Sequence, residues 1–560
     1  MLCQVTLPNG IREAEYGRGI YMPLIADAGV ELGPDSSQQD YFNAAARLGI
    51  VGAIVDGQVV NLTFRVVCNC HAEPIYKDSY FGRHIGMRSA SALLFAAARA
   101  VDPDLRLEVG QSLHSQLFFE LKSGGDPVAI GEKLNEQYQR MIFQCVPMVT
   151  HAISAAAALR MVEDPDGDRR QLMHGWVGDT FGTVTIGDYI DLAYGPFVPN
   201  AGFLKEIRIV GIPEGILITA EGEELPSKEL KDFMLGAAEQ ARTWNKRMSV
   251  GTVGKLNKVI LDGKSQELVQ VSETLQEICI AQIASKIVAK GTVKVVFVSG
   301  PSSSGKTSTV RRLSTHLKAM GKETIYVGLD DYYIPAELCP KDENGEYDFE
   351  ALEALDVERI KSDLRSLVAG KVTYIPHYDF VTQRPVPKEQ ETPMQIGEDQ
   401  ILLIEGIHGL NPAITGAIDK SNSFSVFVSA LPQVNLDFGT RVPTTYARLL
   451  RRIIRDRRYR GVSAESTIKR WPSVRRGENK HIFPYQHLAD AMFNSALPYE
   501  LAVFRVFGWQ YLMEVHEDSP AYIMARDMLR FLSLVVPMSD EWIPKNSVLR
   551  EFLGGSIYKY

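Results

Sequence analysis

A turn rich in glycine and serine carries the clearest chemical signal in this sequence. Residues 300–307 read GPSSSGKT and fit the pattern GxxxxGK[ST], with the apolar run VKVVFVS before them and a basic, helix-like segment after them. In such a turn the backbone N–H groups converge on phosphate oxygens, and the helix N-terminus adds partial positive charge. The turn therefore predicts a phosphate-binding loop. The alternative is a Gly-Ser turn that only connects strand to helix.

Each residue of this turn has an expected role toward a nucleotide. We assign nucleotide binding to Gly300, Ser302, Ser303, Ser304, Gly305, Lys306, Thr307 and Ser308. We expect Lys306 to reach the β- and γ-phosphates and to act in catalysis, and Thr307 to ligate Mg²⁺. Glu405 ends the apolar run ILLIE and would hold the same cation through water. Alternatively, Glu405 caps the turn that follows it.

Two carboxylates further along the chain could receive a proton. Asp330 and Asp331 follow the run TIYVGL, at the C-terminal end of a predicted strand, where doubly wound folds bind their ligands. A carboxylate placed there can accept the proton of an attacking hydroxyl group, whereas a GTPase or a motor would position water. The competing interpretation is a pair of surface aspartates in a turn.

A basic segment could neutralise the charge of the transferred group. The run LLRRIIRDRRYRG at 449–461 spaces Arg452, Arg455 and Arg460 along a predicted helix and its exit. Such a cluster can close over a triphosphate and offset the charge that spreads over the phosphoryl group. A solvated basic helix, or an RNA-binding face within 441–476, would have the same composition.

The elements that must position these side chains form a βα alternation. VKVVFVSG, TIYVGLDD, QILLIEGIHGL and SFSVFVSA are apolar, mostly β-branched runs of the length found in parallel sheets, and helix-like sequence follows each. The pattern predicts an α/β domain with a doubly wound, mainly parallel sheet at 291–500. Apolar residues at helical spacing predict a helical connector at 223–290 and a helical C-terminal cap at 501–560.

The N-terminal part has a different pattern. Residues 1–66 contain short strand-like runs separated by Asn-Gly and Asp-Gly pairs, which predict a small β-rich module. Residues 67–222 mix helical patterns, such as SASALLFAAARAV and HAISAAAALRMV, with strand-like runs such as LKEIRIVGI. This mixture predicts an α+β unit.

Composition excludes several classes of protein. The 560 residues are 45% hydrophobic and 23% charged, which disfavours disordered, collagen-like and disulfide-scaffold proteins. No window of 18 apolar residues and no basic, then apolar N-terminal stretch occurs, so we expect no membrane partner and a cytoplasmic location. Six cysteines suit a reducing compartment. Cys68, Cys70 and His71 form the one cluster to weigh as a metal site, but no second ligand pair accompanies them.

Residues from about 293 to 500 resemble the uridine kinase and phosphoribulokinase branch of P-loop kinases. GPSSSGKT, LDDYY, YDFEALEALD, IPHYDFVTQRP, IEGIHGL and RRIIRDRRYRG occur in the order of that family. The resemblance implies that Asp330 is the general base for a 5′-hydroxyl group, that Asp348 holds ribose hydroxyls and that Tyr378 contacts the pyrimidine. It also places Arg452, Arg455 and Arg460 in a lid. There Arg452 would contact the substrate, and Arg455 and Arg460 would act in catalysis.

The sequence departs from the family where specificity is decided. Gln383 stands where uridine kinases typically have histidine, and Val462 replaces a further lid arginine. A glutamine side chain can both donate and accept hydrogen bonds, so Gln383 could still read a pyrimidine edge. A different nucleoside, or an alcohol that is not a nucleoside, is the alternative acceptor.

The first 222 residues resemble the N-terminal half of threonyl-tRNA synthetase. VTLPNG and VDGQVV match its TGS module, and RSASALLFAAARAV and GDYIDLAYGPFVPNAGFLKEIRI match its editing domain. Editing in that family depends on an HxxxH pair and a CxxxH pair, and the corresponding residues here are Arg88, Ala92, Ala193 and Phe197. Without imidazole or thiolate groups at these positions, we expect no aminoacyl hydrolysis.

These observations favour a kinase that uses ATP or GTP with Mg²⁺ and phosphorylates a small hydroxyl substrate, with uridine or cytidine as the first choice. Two alternatives stay open: a kinase of another small alcohol, such as a sugar phosphate, and an RNA-binding regulator that senses a nucleotide. We expect a small-molecule nucleoside partner, and an RNA or nucleotide effector at the N-terminal region is a hypothesis. The sequence leaves the oligomeric state open, and a homo-oligomer is one alternative.

Overall fold

A computed structural model describes residues 2–33, 35–113, 116–164, 166–176, 178–343, 345, 347–379 and 382–559, apart from the side chains of 237–242 and 246. Phe380 and Val381, in the run IPHYDFVTQRP, lie outside the described residues. No described helix has the length and apolar character needed to cross a bilayer.

The N-terminal sheet has the order β2-β1-β5-β3-β4. Its elements are β1 Leu2–Leu7, β2 Gly10–Glu15, α1 Tyr21–Asp27, α2 Gln38–Leu48, β3 Ile50–Val55, β4 Gln58–Val60 and β5 Cys70–Tyr76. Apolar residues alternate along β1, so Cys3, Val5 and Leu7 enter the core and their neighbours face solvent. The predicted boundary at residue 66 is wrong as the edge of this sheet, because β5 pairs in parallel with β1 beyond it.

The next region contains two antiparallel sheets and several helices. Its elements are α3 Tyr80–Val101, β6 Leu107–Val109, β7 Leu117–Leu121, α4 Pro127–Phe143, β8 Met148–Ser154, α5 Ala155–Met161, α6 Asp168–His174, β9 Thr180–Ile186, β10 Tyr189–Leu192, β11 Ile207–Ile212 and β12 Gly215–Ala220. The prediction of one helix over HAISAAAALRMV is wrong in its first four residues. They belong to β8, which pairs along its whole length with β9, and only the alanine-rich remainder is helical.

Helices α7 Lys228–Arg247, α8 Val253–Leu261 and α9 Ser265–Lys290 connect this region to the C-terminal sheet. The elements that follow are β13 Val295–Ser299, α10 Lys306–Ala319, β14 Glu323–Gly328, α11 Val357–Val368, β15 Thr373–Ile375, β16 Tyr378–Asp379, β17 Arg384–Pro385, β18 Thr392–Met394, β19 Gln400–Glu405, α12 Pro412–Thr415, β20 Ser423–Ser429, α13 Thr444–Arg460, α14 Ala464–His481, β21 Ala491–Asn494, α15 Glu500–Met513, α16 Tyr522–Leu532 and α17 Arg550–Leu553.

The predicted doubly wound sheet is confirmed. Its order is β14-β19-β13-β20-β21, and every neighbouring pair is parallel. Val296 and Val298 of β13 pack against α9 and α10, whereas Val295 and Phe297 pack against α11 and α12 on the opposite face. Because successive side chains of a strand point to opposite faces, a strand covered by helices on both sides is expected to be apolar, as the first four of the five buried residues of β13 are.

One hydrophobic core joins the N-terminal and C-terminal halves. Phe181 and Leu192 of the second region lie in the same buried cluster as Leu436, Ile453 and Phe504 of the C-terminal half. The predicted boundary at residue 500 also divides a continuous structure, because α15 begins at Glu500. The units that the sequence suggests as separate domains are therefore packed as one body.

Candidate active site

The turn after β13 has the backbone that a phosphate loop requires. A Cβ on Gly300 would lie 2.0 Å from the carbonyl oxygen of Val428, so no other residue fits there. Gly305 has a φ of +83° and begins α10, and a Cβ on it would lie 2.4 Å from Val548. The first N–H groups of a helix have no partner within it, and a helix N-terminus such as that of α10 favours a bound anion, although the N–H of Ser308 here donates to Glu551.

Side chains from α13 and α14 hold the loop from behind. The N–H of Ser302 donates to Glu478 Oε1 (3.0 Å), and Arg448 donates to the carbonyl oxygen of Ser302 (2.9 Å). Arg448 and Glu478 also form an ion pair whose two side chains are almost completely buried. Ser495 donates to the carbonyl oxygen of Ser304. The loop is thus fixed to the helices that bear the predicted lid.

Glu405 lies beside the first residues of α10. Its Oε2 atom is 3.3 Å from Thr307 Oγ1 and accepts a hydrogen bond from the Tyr326 hydroxyl (3.0 Å), while its Oε1 atom is 3.9 Å from Lys306 Nζ. Burial raises the pKa of Glu405 to about 6, and Lys306 opposes this shift.

The oxygen atoms of Thr307 and Glu405 fit Mg²⁺, which prefers hard oxygen ligands and is usually held by one or two protein groups and by substrate phosphates. No group of three or more His, Cys, Asp or Glu side chains placed to hold a metal ion occurs among the described residues, Cys68, Cys70 and His71 included.

Asp330 lies on a 3₁₀ turn directly after β14, is exposed to solvent and is within electrostatic reach of Lys306, and the space around these two side chains is the candidate cleft. The pKa of Asp330 is raised because the surrounding protein removes water from its carboxylate, and Lys306, Arg460 and Arg455 act in the opposite direction. Asp331 has a different partner, the ring nitrogen Nδ1 of His377 at 3.3 Å. The structure therefore separates the two aspartates, and it brings Asp330 and Lys306 together.

The three predicted lid arginines converge on one carboxylate. Arg452, Arg455 and Arg460 lie 3.3, 3.4 and 3.3 Å from the oxygens of Asp456. Arg452 also donates to the hydroxyl of Ser302 (3.0 Å), so it contacts the phosphate loop directly. Burial lowers the pKa of Arg455. In this conformation the arginines flank the loop and Asp330 while Asp456 holds them.

The predicted ribose ligand Asp348 is half-buried, and its carboxylate accepts a hydrogen bond from the backbone N–H of Glu350 (3.1 Å). Its role toward a ribose stays a prediction. Glu350 is a second carboxylate near the phosphate loop: burial and the nearby Glu478 raise its pKa to about 7, and Lys306 acts in the opposite direction. Sequence reasoning missed Glu350, although it lies in the same YDFE run, two residues after Asp348.

The other predicted substrate residues lie apart from the phosphate loop. Tyr378 is buried in an aromatic cluster, with its ring 5.4 Å from that of Tyr333. Gln383 is exposed and has a φ of +55°, and its carbonyl oxygen accepts from the N–H of Ala336 (3.2 Å). Among the described residues, no hydrogen bond or ion pair joins Gln383 to Asp330, so the role of Gln383 toward a substrate stays a prediction.

The C-terminal segment contributes to the site, which sequence reasoning did not anticipate. The hydroxyl of Ser308 donates to Glu551 Oε2 (2.7 Å), so the Ser308 side chain is directed to α17. The prediction that Ser308 binds the nucleotide stays a prediction, with its hydroxyl and N–H both donating to Glu551 in this structure. Val548 packs on Gly305, and together these contacts brace the start of α10.

The four positions that correspond to editing residues line two adjoining cavities. Arg88 donates to the carbonyl oxygen of Pro196 (3.0 Å) and borders both cavities. Ala193 borders the cavity of about 550 Å³, and Ala92 and Phe197 border the cavity of about 780 Å³. The shape of this region thus persists while its side chains provide no imidazole or thiolate at these positions.

Comparison with known proteins assigns the C-terminal half. Residues 295–501 match the phosphoribulokinase / uridine kinase family. The segment with the phosphate loop, Asp330 and the lid lies within this matched range. The matched range ends before α16 and α17, so Glu551 lies outside it.

The N-terminal region matches a different group of proteins. It is 22% identical over 258 residues to threonine--tRNA ligase of Symbiobacterium thermophilum, a match that covers 44% of this chain and 37% of the ligase. The chain thus spans little more than a third of that relative.

Two solved kinase structures are also similar. A "Possible Uridine Kinase" from Bacillus stearothermophilus is 20% identical and covers 38% of this chain and 97% of its own, with a TM-score of 0.26. D-glycerate 3-kinase from Cryptococcus neoformans is 14% identical and covers 37% and 89%, with a TM-score of 0.26.

Proposed function

We propose that this protein is a nucleoside kinase that transfers the γ-phosphate of ATP or GTP to the 5′-hydroxyl group of a pyrimidine nucleoside, with uridine or cytidine as acceptor. The observation that carries the proposal is the position of Asp330 at the C-terminal end of β14, within electrostatic reach of Lys306, Arg455 and Arg460. A carboxylate beside the site of the γ-phosphate can take a proton from an alcohol.

In the proposed reaction, the acceptor oxygen forms a bond to the γ-phosphorus while the bond from that phosphorus to the β–γ bridging oxygen breaks. The hydroxyl proton passes to Asp330, and the nucleoside diphosphate leaves. Lys306 and the loop N–H groups hold the phosphates, and Arg455 and Arg460 offset the charge of the transferring group. Thr307 and Glu405 would hold Mg²⁺, which supplies further positive charge at the β- and γ-phosphates.

A kinase of another small alcohol, such as a sugar phosphate, is the second candidate. The exposed Gln383 and the phosphoribulokinase branch of the family support it. An RNA-binding regulator is less well supported, because the basic stretch 441–476 is not a free cationic face. The arginines of this stretch that form ion pairs are Arg448, Arg451, Arg452, Arg455, Arg457, Arg460, Arg475 and Arg476.

The test measures nucleoside diphosphate formation by the full chain with a panel of nucleosides and pentose phosphates. We expect turnover with uridine or cytidine, and we expect added pentose phosphate not to inhibit it. We also expect this turnover to be lost in Lys306→Ala. Turnover with the pentose phosphate alone would assign the second candidate. Turnover that is equal in the wild type and in Lys306→Ala would remove the assigned site.

A further inference from the structure

A pair of adjoining cavities lies between the two halves of the chain and has no role in the proposed kinase reaction. Their walls come from α3 and the β9–β10 region on one side, and from residues 436–446 and α16 on the other. A volume of about 780 Å³ for the larger cavity falls within the range of small-molecule sites. The cavities therefore have the size of a site for one small molecule.

The charge of the walls is predominantly positive. Six arginines line the two cavities, namely Arg83, Arg88, Arg441, Arg448, Arg475 and Arg530, against two carboxylates, Asp191 and Asp527. Both carboxylates already have partners: Asp191 pairs with Arg169, and Asp527 accepts from the hydroxyl of Tyr446. Arg448 and Arg475 pair with Glu478. The hydroxyl of Tyr446 is neutral, so Asp527 keeps its charge and offsets part of that of the other four arginines, and the remainder is excess positive charge at the walls.

Arg441 is held in an unusual way for a buried charge. Its guanidinium group donates only to neutral acceptors: Ser112 Oγ (2.6 Å), Gln111 Oε1 and Thr444 Oγ1 (3.1 Å). It forms no ion pair within the part of the chain that the structure describes, and burial lowers its pKa to about 10. A buried charge without a counter-ion is costly, and an anion that binds beside it offsets that cost.

Arg88, on the opposite wall, is within electrostatic reach of Asp527 but forms no ion pair among the described residues. It donates to a backbone carbonyl group and borders both cavities, as Arg441 does. Two guanidinium groups that border the same cavities could bind one phosphate group, which arginine binds through paired N–H donors. Phe95, Phe197 and Tyr194 supply apolar and aromatic surface beside them.

We propose that this interdomain cavity binds a small phosphorylated ligand of mononucleotide size, with its phosphate between Arg88 and Arg441 and its ring against the aromatic wall. The site is distinct from the phosphate loop and does not depend on the proposed kinase activity. A small molecule fits better than an RNA end, because residues 436–446 and α16 cover the side of the cavity that faces α3.

The experiment is a calorimetric titration of the full chain with AMP, UMP, CMP, GMP and inorganic phosphate. The titrated protein carries Lys306→Ala, which weakens binding at the phosphate loop. We expect saturable binding of at least one mononucleotide, weakened about tenfold or more when Arg441→Met or Arg88→Met is added. Arg140→Met, which removes an exposed arginine paired with Glu136, is the matched control and is expected to leave binding unchanged.

Three results would overturn the proposal: no binding of any mononucleotide at millimolar concentration, unchanged affinity in both arginine variants, or binding of RNA alone. If one arginine variant does not fold, the other tests the same phosphate from the opposite wall, and thermal unfolding of each variant without ligand establishes which is usable. Because the readout is binding, loss of kinase turnover in the panel assay would leave this result standing.

Discussion

At the scale of single residues, the site gathers three carboxyl groups around one lysine. Burial raises the pKa values of Asp330, Glu350 and Glu405, and Lys306 lowers each of them. Close carboxyl groups cannot all ionise without cost, so their charges depend on the phosphates, cation and substrate that bind between them. The chemistry of the cleft should therefore depend strongly on pH.

We expect the apparent affinity for Mg²⁺ to fall as the pH is lowered from 7 to 5. The pKa of Glu405 is about 6, above its ordinary value, so its carboxylate is ionised at neutral pH and gains a proton as the pH falls through 6. A protonated carboxyl group is a poor cation ligand. Turnover measured against Mg²⁺ concentration at several pH values provides the check. An Mg²⁺ requirement that stays constant over this range, and is the same in Glu405→Gln, would contradict the assignment.

A second residue-scale prediction concerns the acceptor. Lys306, Asp330 and Arg452 all act electrostatically on Glu350, so we expect Glu350→Gln to lower kcat/KM for the nucleoside by about 10- to 100-fold, the effect of losing hydrogen bonds to a charged group. Asp348→Asn is the matched control and should change kcat/KM by much less. The reverse order of the two variants would restore Asp348 as the ligand.

Sequence reasoning could assign roles that depend on neighbouring residues in the chain, and it could not assign roles that depend on how the chain folds. The roles of Gly300, Gly305 and Lys306 depend on neighbours within eight residues, and their positions in the structure agree with the motif. The proximity of Glu350 to Lys306 depends on how one turn of chain is folded, which no pattern of residue types specifies.

At the scale of elements, a strand or a helix could be predicted where the apolar residues of its own segment follow the pattern of that element. The buried strands β13, β19 and β20 were recognised from continuous apolar runs. β8 was mistaken for helix, because alanines follow it and its identity as a strand depends on pairing with β9, which lies about thirty residues further along the chain. Small α17 has no strong pattern, yet it braces the phosphate loop.

We expect Glu551→Ala to lower the free energy of unfolding by about 1–3 kcal/mol, because the hydroxyl and the backbone N–H of the buried Ser308 both donate to Glu551. Chemical denaturation measures this difference. Glu541→Ala, an exposed change in the same segment, is the control and should have little effect. Equal stability of the two variants would mean that α17 does not support α10.

At the scale of the whole molecule, the two halves are joined by a buried charge network as well as by a common core. Arg169, on α6, donates to Asp437 Oδ2 (3.1 Å) in the C-terminal half and pairs with Asp191 in the N-terminal half. Its guanidinium group also lies over the ring of Phe438, 4.2 Å from the centroid. Such contacts could not be predicted from the sequence, because the type of a residue does not determine which distant part of the chain it will contact.

We expect Arg169→Met to cost about 3–5 kcal/mol in the free energy of unfolding, since it leaves two carboxylates buried without their cation. Its neighbour Arg170 is exposed, so Arg170→Met is the matched control. Denaturation followed separately by fluorescence and by circular dichroism should show one transition for the wild type. Two separate transitions in the wild type would mean that the halves fold independently and that the common core is weak.

The central claim is that Asp330 removes the acceptor proton during phosphoryl transfer. The most direct measurement is the single-turnover rate with a bound nucleoside in the wild type, Asp330→Asn and Asp331→Asn at saturating donor. We predict that Asp330→Asn slows this rate by about 10²- to 10⁴-fold with nearly unchanged donor binding, and that Asp331→Asn, whose partner is His377, has a small effect. An Asp330→Asn enzyme that transfers phosphate at the wild-type rate would contradict the claim.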